Sequence, residues 1–308
     1  MSASTSTEKT IPEPLTATSD LLQPQYTPEQ IDQFNTELAG KTPQEILRWA
    51  IDNLQGLYQT TAFGLTGMAA LDMVSKICQE REEVHLVPVI FLDTLHHFSE
   101  TLSLAQTASD TYLAELHTYR PPSVSTPQEF ASKYGEKLWE NDEATYDYLV
   151  KVEPAARAYT ELGVKAVITG RRKSQGADRG DLKVLEVDER GLIKVNPLGD
   201  WTFKQVKEYI DKEGVPYNVL LDKGYRSIGD THSTALPDPS AASNGDASER
   251  SGRWQGKGKT ECGLHSNYWD MKKRFEEKTG GVQPAEKDEL KAVVAEGTEA
   301  AEGEAGDV

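Results

Sequence analysis

The sequence predicts an α/β domain with a doubly wound, mainly parallel sheet, followed by a mobile C-terminal arm that carries a thiol. Three observations carry this. Short β-prone apolar runs alternate with helix-period runs between residues 27 and 234, the pattern of a sheet whose strands are joined by crossover helices. Glycine-bearing or charged turns follow several of those runs, at the carboxyl edge where open sheets bind ligands. After Thr234 the composition shifts to Ala, Ser, Pro, Asp and Gly with almost no large apolar residue up to Gly252, which reads as a flexible linker.

The elements follow in order. Residues 1–26 are rich in Ser, Thr and Pro and are expected to be disordered. The pattern turns helical from Thr27, and Thr42-Pro43-Gln44-Glu45 is a capping box with Ile46, Leu47, Ala50, Ile51 and Leu54 on one face behind it. A β-prone run over 57–63 ends at Gly64-Leu65-Thr66-Gly67, and a helix with Met68, Leu71, Met73, Val74 and Ile77 follows. Residues 86–92 read as a buried strand, and Ser99 opens another helix. Further strands are expected at 114–119, 166–169, 184–187 and 192–195, with a helix over 202–212. The division is a nucleotide-binding domain over 27–234 and a flexible arm over 235–270. A short helix and an acidic tail occupy 271–308.

Composition removes several function classes. A net charge of −17 over 308 residues argues against a nucleic-acid surface. Part of it is local, since residues 281–308 hold eight acids against two lysines. No apolar run is long enough to span a membrane, and the N-terminus has no apolar signal core. Two cysteines, Cys78 and Cys262, cannot form a disulfide framework, a cluster site or a four-cysteine zinc site within the chain. A reducing, cytoplasmic setting without a bound metal or cofactor is expected.

Cys262 carries the most information. It lies in Lys259-Thr260-Glu261-Cys262-Gly263-Leu264-His265, where lysine and histidine neighbours favour thiolate and an arm can deliver it to a substrate. An ordinary free cysteine is the alternative. Thr60-Thr61-Ala62-Phe63-Gly64-Leu65-Thr66-Gly67 is a strand–loop–helix element whose small residues and helix-start amides suit an anion, or are a packing turn. It matches neither the Walker nor the dinucleotide glycine motif.

Leu92-Asp93-Thr94 ends a strand, so Asp93 accepts from a ribose or adenine, or caps the next helix. His96 and His97 read as loop or packing residues. Gly170-Arg171-Arg172-Lys173 places adjacent cations after a strand, to meet a phosphate or sulfate or to stand as a solvated run. Lys151, Arg250 and Arg253 would add cations beside the same anion. Residues 229–234, Gly-Asp-Thr-His-Ser-Thr, are a binding loop or a hinge. Cys78 sits on the apolar stripe of its helix and reads as core.

Together these motifs resemble the assimilatory phosphoadenylyl-sulfate reductases of the thioredoxin-dependent, cluster-free type, the fungal branch in particular. The likeness runs from about Thr27 to Tyr268 and rests on Thr60–Gly67, Leu92–Thr94, Lys151–Pro154, Gly170–Arg172, Gly224-Tyr225 with Gly229–His232, and Glu261–His265. The resemblance implies a PP-loop fold and a homodimer. It implies that Thr61, Gly64, Thr66 and Gly67 hold the phosphosulfate end and that Asp93 and Thr94 lie beside the adenosine. Arg171 and Arg172 would bind phosphate, and Lys151, Arg250, Arg253 and His265 would surround the sulfate. Cys262 would be the nucleophile. Leu95 departs from the family, standing where many members have glycine, and residues 148–152 lack the paired cysteines of the cluster-bearing adenylyl-sulfate reductases.

The chemistry then expected is attack of the Cys262 thiolate on the sulfur of 3′-phosphoadenylyl sulfate, leaving an S-sulfocysteine that thioredoxin or glutaredoxin discharges. The chief alternatives are an ATP-dependent adenylating enzyme of the same fold, an adenylyl-sulfate reductase, and a non-catalytic nucleotide sensor. The adenylating enzyme needs a Ser-Gly-Gly-x-Asp-Ser loop that Phe63–Gly67 lacks. Arg171 and Arg172 are expected at the surface, so that their loss would weaken ligand binding and spare the fold.

Overall fold

The structure, a computed structural model, describes residues 21–22, 24–84, 87–176, 179–237, 249–254, 263–265 (His265 by its backbone only) and 267–279. Two helices open it, α1 (Pro28–Leu38) and α2 (Pro43–Asn53). Each starts with a threonine capping box and a proline in its first turn, so orphan amides are met from within the sequence. The central sheet has six strands: β1 (Leu57–Thr60), β2 (Val89–Leu92), β3 (Leu116–Tyr119), β4 (Ala166–Ile168), β5 (Leu185–Val187) and β6 (Ile193–Val195). Their order is β3-β2-β1-β4-β6-β5. Every neighbouring pair is parallel except β5–β6, an antiparallel hairpin at the edge.

The chain moves outward from β1 to β3, then returns to β4 on the other side of β1. The β1–β4 boundary is therefore a topological switch point, where the crossovers diverge and leave a crevice at the carboxyl ends. Helices α3 (Leu65–Glu80), α4 (Ser99–Tyr112) and α9 (Phe203–Glu213) pack with α2 on one face around a core of Leu47, Met68, Leu71 and Ile168. Helix α8 (Glu153–Glu161) covers the other face, where Tyr159 and Ala158 meet Ile90 and Val167. Cys78 is buried in the first core, as expected of a stripe residue.

Several expectations change. The strands are shorter than their apolar runs: within the run over 86–92 the strand is Val89–Leu92, and Pro88 before it accepts from the Gln59 amide at 2.9 Å but has no amide of its own to give the ladder. The stretch between β3 and β4, to which the sequence reading assigns no element, is helical. It comprises α5 (Pro127–Tyr134), α6 (Leu138–Asn141), α7 (Glu143–Asp147), a π-helical turn Tyr148–Val152, and α8. The last helix among the described residues, α10, spans Tyr268–Thr279 and begins before residue 271, with Phe275 stacked on Tyr148 at 4.6 Å between centroids.

The arm expected to be flexible over 235–270 is in part packed against the body. Ala235 donates to the Gly252 carbonyl at 2.8 Å, Trp254 donates to the Ser233 carbonyl at 3.1 Å, and Glu249, Gly252 and Trp254 are buried. Antiparallel pairing between 233–235 and 252–254 satisfies backbone groups that a free linker would leave to water. Residues 238–248 and 255–262, the rest of that arm's centre, lie outside the described residues. Among the described residues no helix is long and apolar enough to cross a membrane.

One buried carboxylate joins three helices of the main core. Asp72 of α3 accepts from Tyr209 Oη of α9 at 2.6 Å, from Tyr112 Oη of α4 at 3.3 Å, and pairs with Lys76 Nζ at 2.8 Å. Asp72→Ala leaves the buried Tyr112 and the half-buried Tyr209 phenols without this acceptor, so unfolding free energy should fall by about 1–3 kcal/mol in a urea titration. An unchanged denaturation midpoint would show that the network contributes nothing net.

Candidate functional site

A cavity of ≈ 300 Å³ opens at the switch point, between the carboxyl ends of β1 and β4. Its floor is the loop Thr61–Gly64 and the first turn of α3. Gly64 caps α3 without a side chain, so no capping oxygen meets the first-turn amides, and the residues that carry them line the cavity. The loop is tightly held. Thr61 Oγ1 accepts from the Phe63 amide at 2.9 Å, Phe63 adopts φ +56, and Gln59 Nε2 donates to the Gly67 carbonyl at 2.7 Å. Gly67 has no alternative here, since a Cβ would lie 2.3 Å from Thr61 Oγ1.

The turn after β4 supplies the cations, in two different roles. Arg171 lines the cavity and pairs with Glu186 across the sheet edge. Arg172 does not line it. Its side chain is 1% exposed, and each guanidinium nitrogen is engaged: Nε donates to Thr66 Oγ1 at 2.9 Å, Nη1 to Ser174 Oγ at 2.8 Å, and Nη2 to Glu249. The expectation of two equivalent surface cations is corrected. Arg172 is a buried tie between the start of α3 and residue 249 of the arm.

Asp93 and Thr94 divide as well. Asp93 Oδ1 accepts from the Leu95 amide at 3.0 Å and Oδ2 from Arg120 Nε at 2.8 Å. It does not cap α4, whose N-cap is Phe98, and it is not among the residues lining the cavity. Thr94 does line it, and donates to Asp230 Oδ1 at 2.6 Å. Leu95 takes φ +66, a left-handed conformation that glycine adopts more readily. The Asp93 carboxylate on its amide holds the turn there.

Behind the cavity lies a charged cluster. Lys151, on the π-helical turn and lining the cavity, donates to Asp147 Oδ1 at 3.0 Å and Asp230 Oδ2 at 3.1 Å. Asp230 is 1% exposed. Burial opposes its charge, yet Lys151, His97 and the Thr94 hydroxyl hold its carboxyl far below the usual carboxylate range. Around it Tyr146 donates to Asp230 Oδ2 at 3.3 Å, and His232 stacks on Trp139 at 4.3 Å. Burial, and then the Asp230 charge, push the Tyr146 phenol well up, while burial pulls the His96 imidazole down. Tyr146 is thus a hydrogen-bond donor and His96 a neutral ring at neutral pH.

Arg250 and Arg253 stack on Trp254, at 5.1 and 4.4 Å from its ring centroid, and do not line the cavity. The Arg253 guanidinium rests on Gly229, where any Cβ would lie 2.2 Å from Nη2. Cys262 and the His265 side chain are outside the described residues. The residues next to them are placed: Gly263 donates its amide to Asp147 Oδ2 at 3.1 Å, and Leu264 and Tyr268 line the cavity.

Of the expected residues, Thr61, Gly64, Thr66, Gly67, Thr94, Lys151 and Arg171 surround one cavity. Asp93, Arg172, Arg250 and Arg253 stand behind or beside it. Asp230 belongs to the loop over 229–234 that was expected to bind or to hinge, whereas Asp147 and the cavity-lining Arg190 and Glu249 were not expected at the site. Asp147 stands four residues before Lys151, helical salt-bridge spacing that the unread helix concealed.

Similarity to known proteins agrees with this geometry. The family model for the phosphoadenosine phosphosulfate reductase domain matches residues 56–236. The chain is 54% identical to the phosphoadenosine phosphosulfate reductase of Emericella nidulans over 78% of this chain and 76% of that one. It is 51% identical to that of Saccharomyces cerevisiae over 78% of this chain and 90% of that one. A crystal structure of phosphoadenylyl-sulfate reductase from Candida auris, a phosphate complex, is 53% identical with a TM-score of 0.62, covering 68% of this chain and 98% of that one.

The two arginines should behave differently when removed. Arg172→Ala strands the buried Glu249 carboxylate and should destabilise the fold by about 3–5 kcal/mol. Arg171→Ala should leave the melting temperature nearly unchanged and weaken nucleotide binding by about 1.5–3 kcal/mol. Thermal denaturation and titration calorimetry on both variants decide; equal melting temperatures would contradict the buried-tie role.

Proposed function

Because the chain belongs to the phosphoadenosine phosphosulfate reductase domain family, we propose that it reduces 3′-phosphoadenylyl sulfate to sulfite and adenosine 3′,5′-bisphosphate in sulfate assimilation. One observation supports this reading most. The cavity built from an uncapped helix start, Arg171 and Lys151 is also lined by Leu264, two residues beyond Cys262. An anion cleft and the thiol's own segment share one place.

In this reading the Thr61–Gly67 loop and the α3 amides hold the phosphosulfate, and Lys151 with Arg171 neutralises part of its charge. That neutralisation matters because nucleophile and substrate are both anions. Cys262 thiolate attacks sulfur, the sulfur–oxygen bond to phosphate breaks, and the bisphosphate leaves with the electron pair. Lys259 and a protonated His265 favour the thiolate, which at a free pKa of about 8.5 is otherwise scarce at neutral pH. An external dithiol then attacks Cys262 Sγ, sulfite departs with the electron pair of the sulfur–sulfur bond, and the second thiol frees Cys262 as the dithiol becomes a disulfide. Cys78 is buried in α3, which favours an external dithiol of the thioredoxin or glutaredoxin kind. The reading needs no resident cofactor or metal, and it includes a cytoplasmic homodimer.

Incubated with 3′-phosphoadenylyl sulfate and no reductant, the protein should gain the mass of one sulfo group, and a dithiol should remove it. Cys262→Ser should make no sulfite and still bind adenosine 3′,5′-bisphosphate. Turnover by that variant, or binding of ATP in preference to the bisphosphate, would overturn the reading.

A further inference from the structure

Asp147 has no part in the scheme above, yet it holds two of its components. Its side chain is 6% exposed. Oδ1 accepts from Lys151 Nζ at 3.0 Å, and Oδ2 accepts from the Gly263 amide at 3.1 Å. Lys151 lines the anion cavity, and Gly263 follows Cys262 directly in the chain. One carboxylate thus bridges a cavity cation and the backbone next to the thiol. The approach is close: a Cβ on Gly263 would lie 2.7 Å from Asp147 Cβ and 3.0 Å from Oδ2. A larger residue at 263 therefore cannot take this seat without moving the segment.

The surroundings fix Asp147 in turn. It ends α7, and the π-helical turn Tyr148–Val152 begins at the next residue. Helix α10, reached five residues after Gly263, packs on that turn through Phe275 and Tyr148. Leu264 packs into the cluster of Tyr159 and Leu192 beside the cavity. The described chain beyond Cys262 is thereby anchored at Gly263, Leu264 and Tyr268, and the Asp147 bond is the anchor nearest Cys262 along the chain.

We infer that Asp147 is a positioning residue for sulfo transfer: it sets Lys151 and the Gly263 amide at a fixed spacing, so that the segment carrying Cys262 is seated against the cation that meets the sulfate. This rests on the proposed reaction. The carboxylate form is required, because both partners are donors and two acceptor oxygens are needed. An amide side chain at 147 has one acceptor and would turn its NH₂ toward the other donor.

The test follows single-turnover formation of the sulfo adduct by intact mass at saturating 3′-phosphoadenylyl sulfate, alongside calorimetric binding of adenosine 3′,5′-bisphosphate. Asp147→Asn should slow adduct formation roughly 10- to 100-fold, the loss that accompanies a small misplacement of reacting groups, with bisphosphate affinity unchanged. Gly263→Ala keeps the Asp147–Lys151 pair but displaces the segment, and should reproduce that rate loss even if Asp147→Asn fails to fold. Wild-type adduct rates in Gly263→Ala, or a rate loss matched by an equal loss of bisphosphate affinity, would overturn the role of Asp147. Absence of an adduct in the wild-type protein would instead sink the proposed reaction itself.

Discussion

The sharing of one ammonium, Lys151, between two buried carboxylates is the interaction on which the rest of the site depends. Asp147 and Asp230 come from distant parts of the chain, and each would be costly to bury alone. Lys151 sits within reach of both because the π-helical turn lies between α7 and α8. The balance closes only with further donors. Thr94 and Tyr146 give hydrogen bonds to Asp230, and Gly263 gives its amide to Asp147. Removing any member would leave a buried charge short of partners, which couples the strand end at β2, the 229–234 loop and the C-terminal segment.

A second charge pair does similar work on the other side of the cavity. Arg172 ties the first turn of α3 to Glu249, and its burial explains why two adjacent arginines differ in purpose. One faces ligand space; its neighbour, pointing the opposite way, holds the loop in shape. Trp254, buried beneath Arg250 and Arg253, extends this seam toward Gly229. The region after Thr234 thus combines contacts typical of a core with a composition typical of a linker. Its few large side chains are used as anchors.

The architecture places these groups by simple rules. Reversal of strand order at β1 leaves a crevice, a helix start lies beside it, and the turn after β4 adds cations. Gly67 and Gly170 allow the α3 start and the β4 turn to touch, with a Cβ on Gly170 only 3.3 Å from the Gly67 amide. In a chain of net charge −17 the cavity lining, with six Lys or Arg side chains against three carboxylates, is a local reversal, which favours capture of a small anion over adhesion to a polyanion.

Local chemistry determined much of this from sequence. Apolar period, the threonine capping boxes at Thr27 and Thr42, and composition after Thr234 are short-range signals. They gave the strand–helix alternation and the loop at Thr60–Gly67. Cys262 stood out for its neighbours, and the sets around Arg171, Lys151 and Thr94 for their residue types. What sequence could not carry was direction and pairing over long separations. Which of Arg171 and Arg172 faces the cavity depends on the course of the turn after β4 and on the distant partners, Thr66 and Glu249, that hold Arg172. That Asp93 turns to Arg120, that Asp147 and Asp230 share Lys151, and that Glu249 docks 77 residues from Arg172 depend on how crossovers stack. The antiparallel direction of β5, a strand expected over 184–187, was not legible because it is set by pairing with β6. The helices from Pro127 to Glu161 escaped because their faces are buried by distant elements, and only tertiary packing makes their mixed polar and aromatic pattern a core.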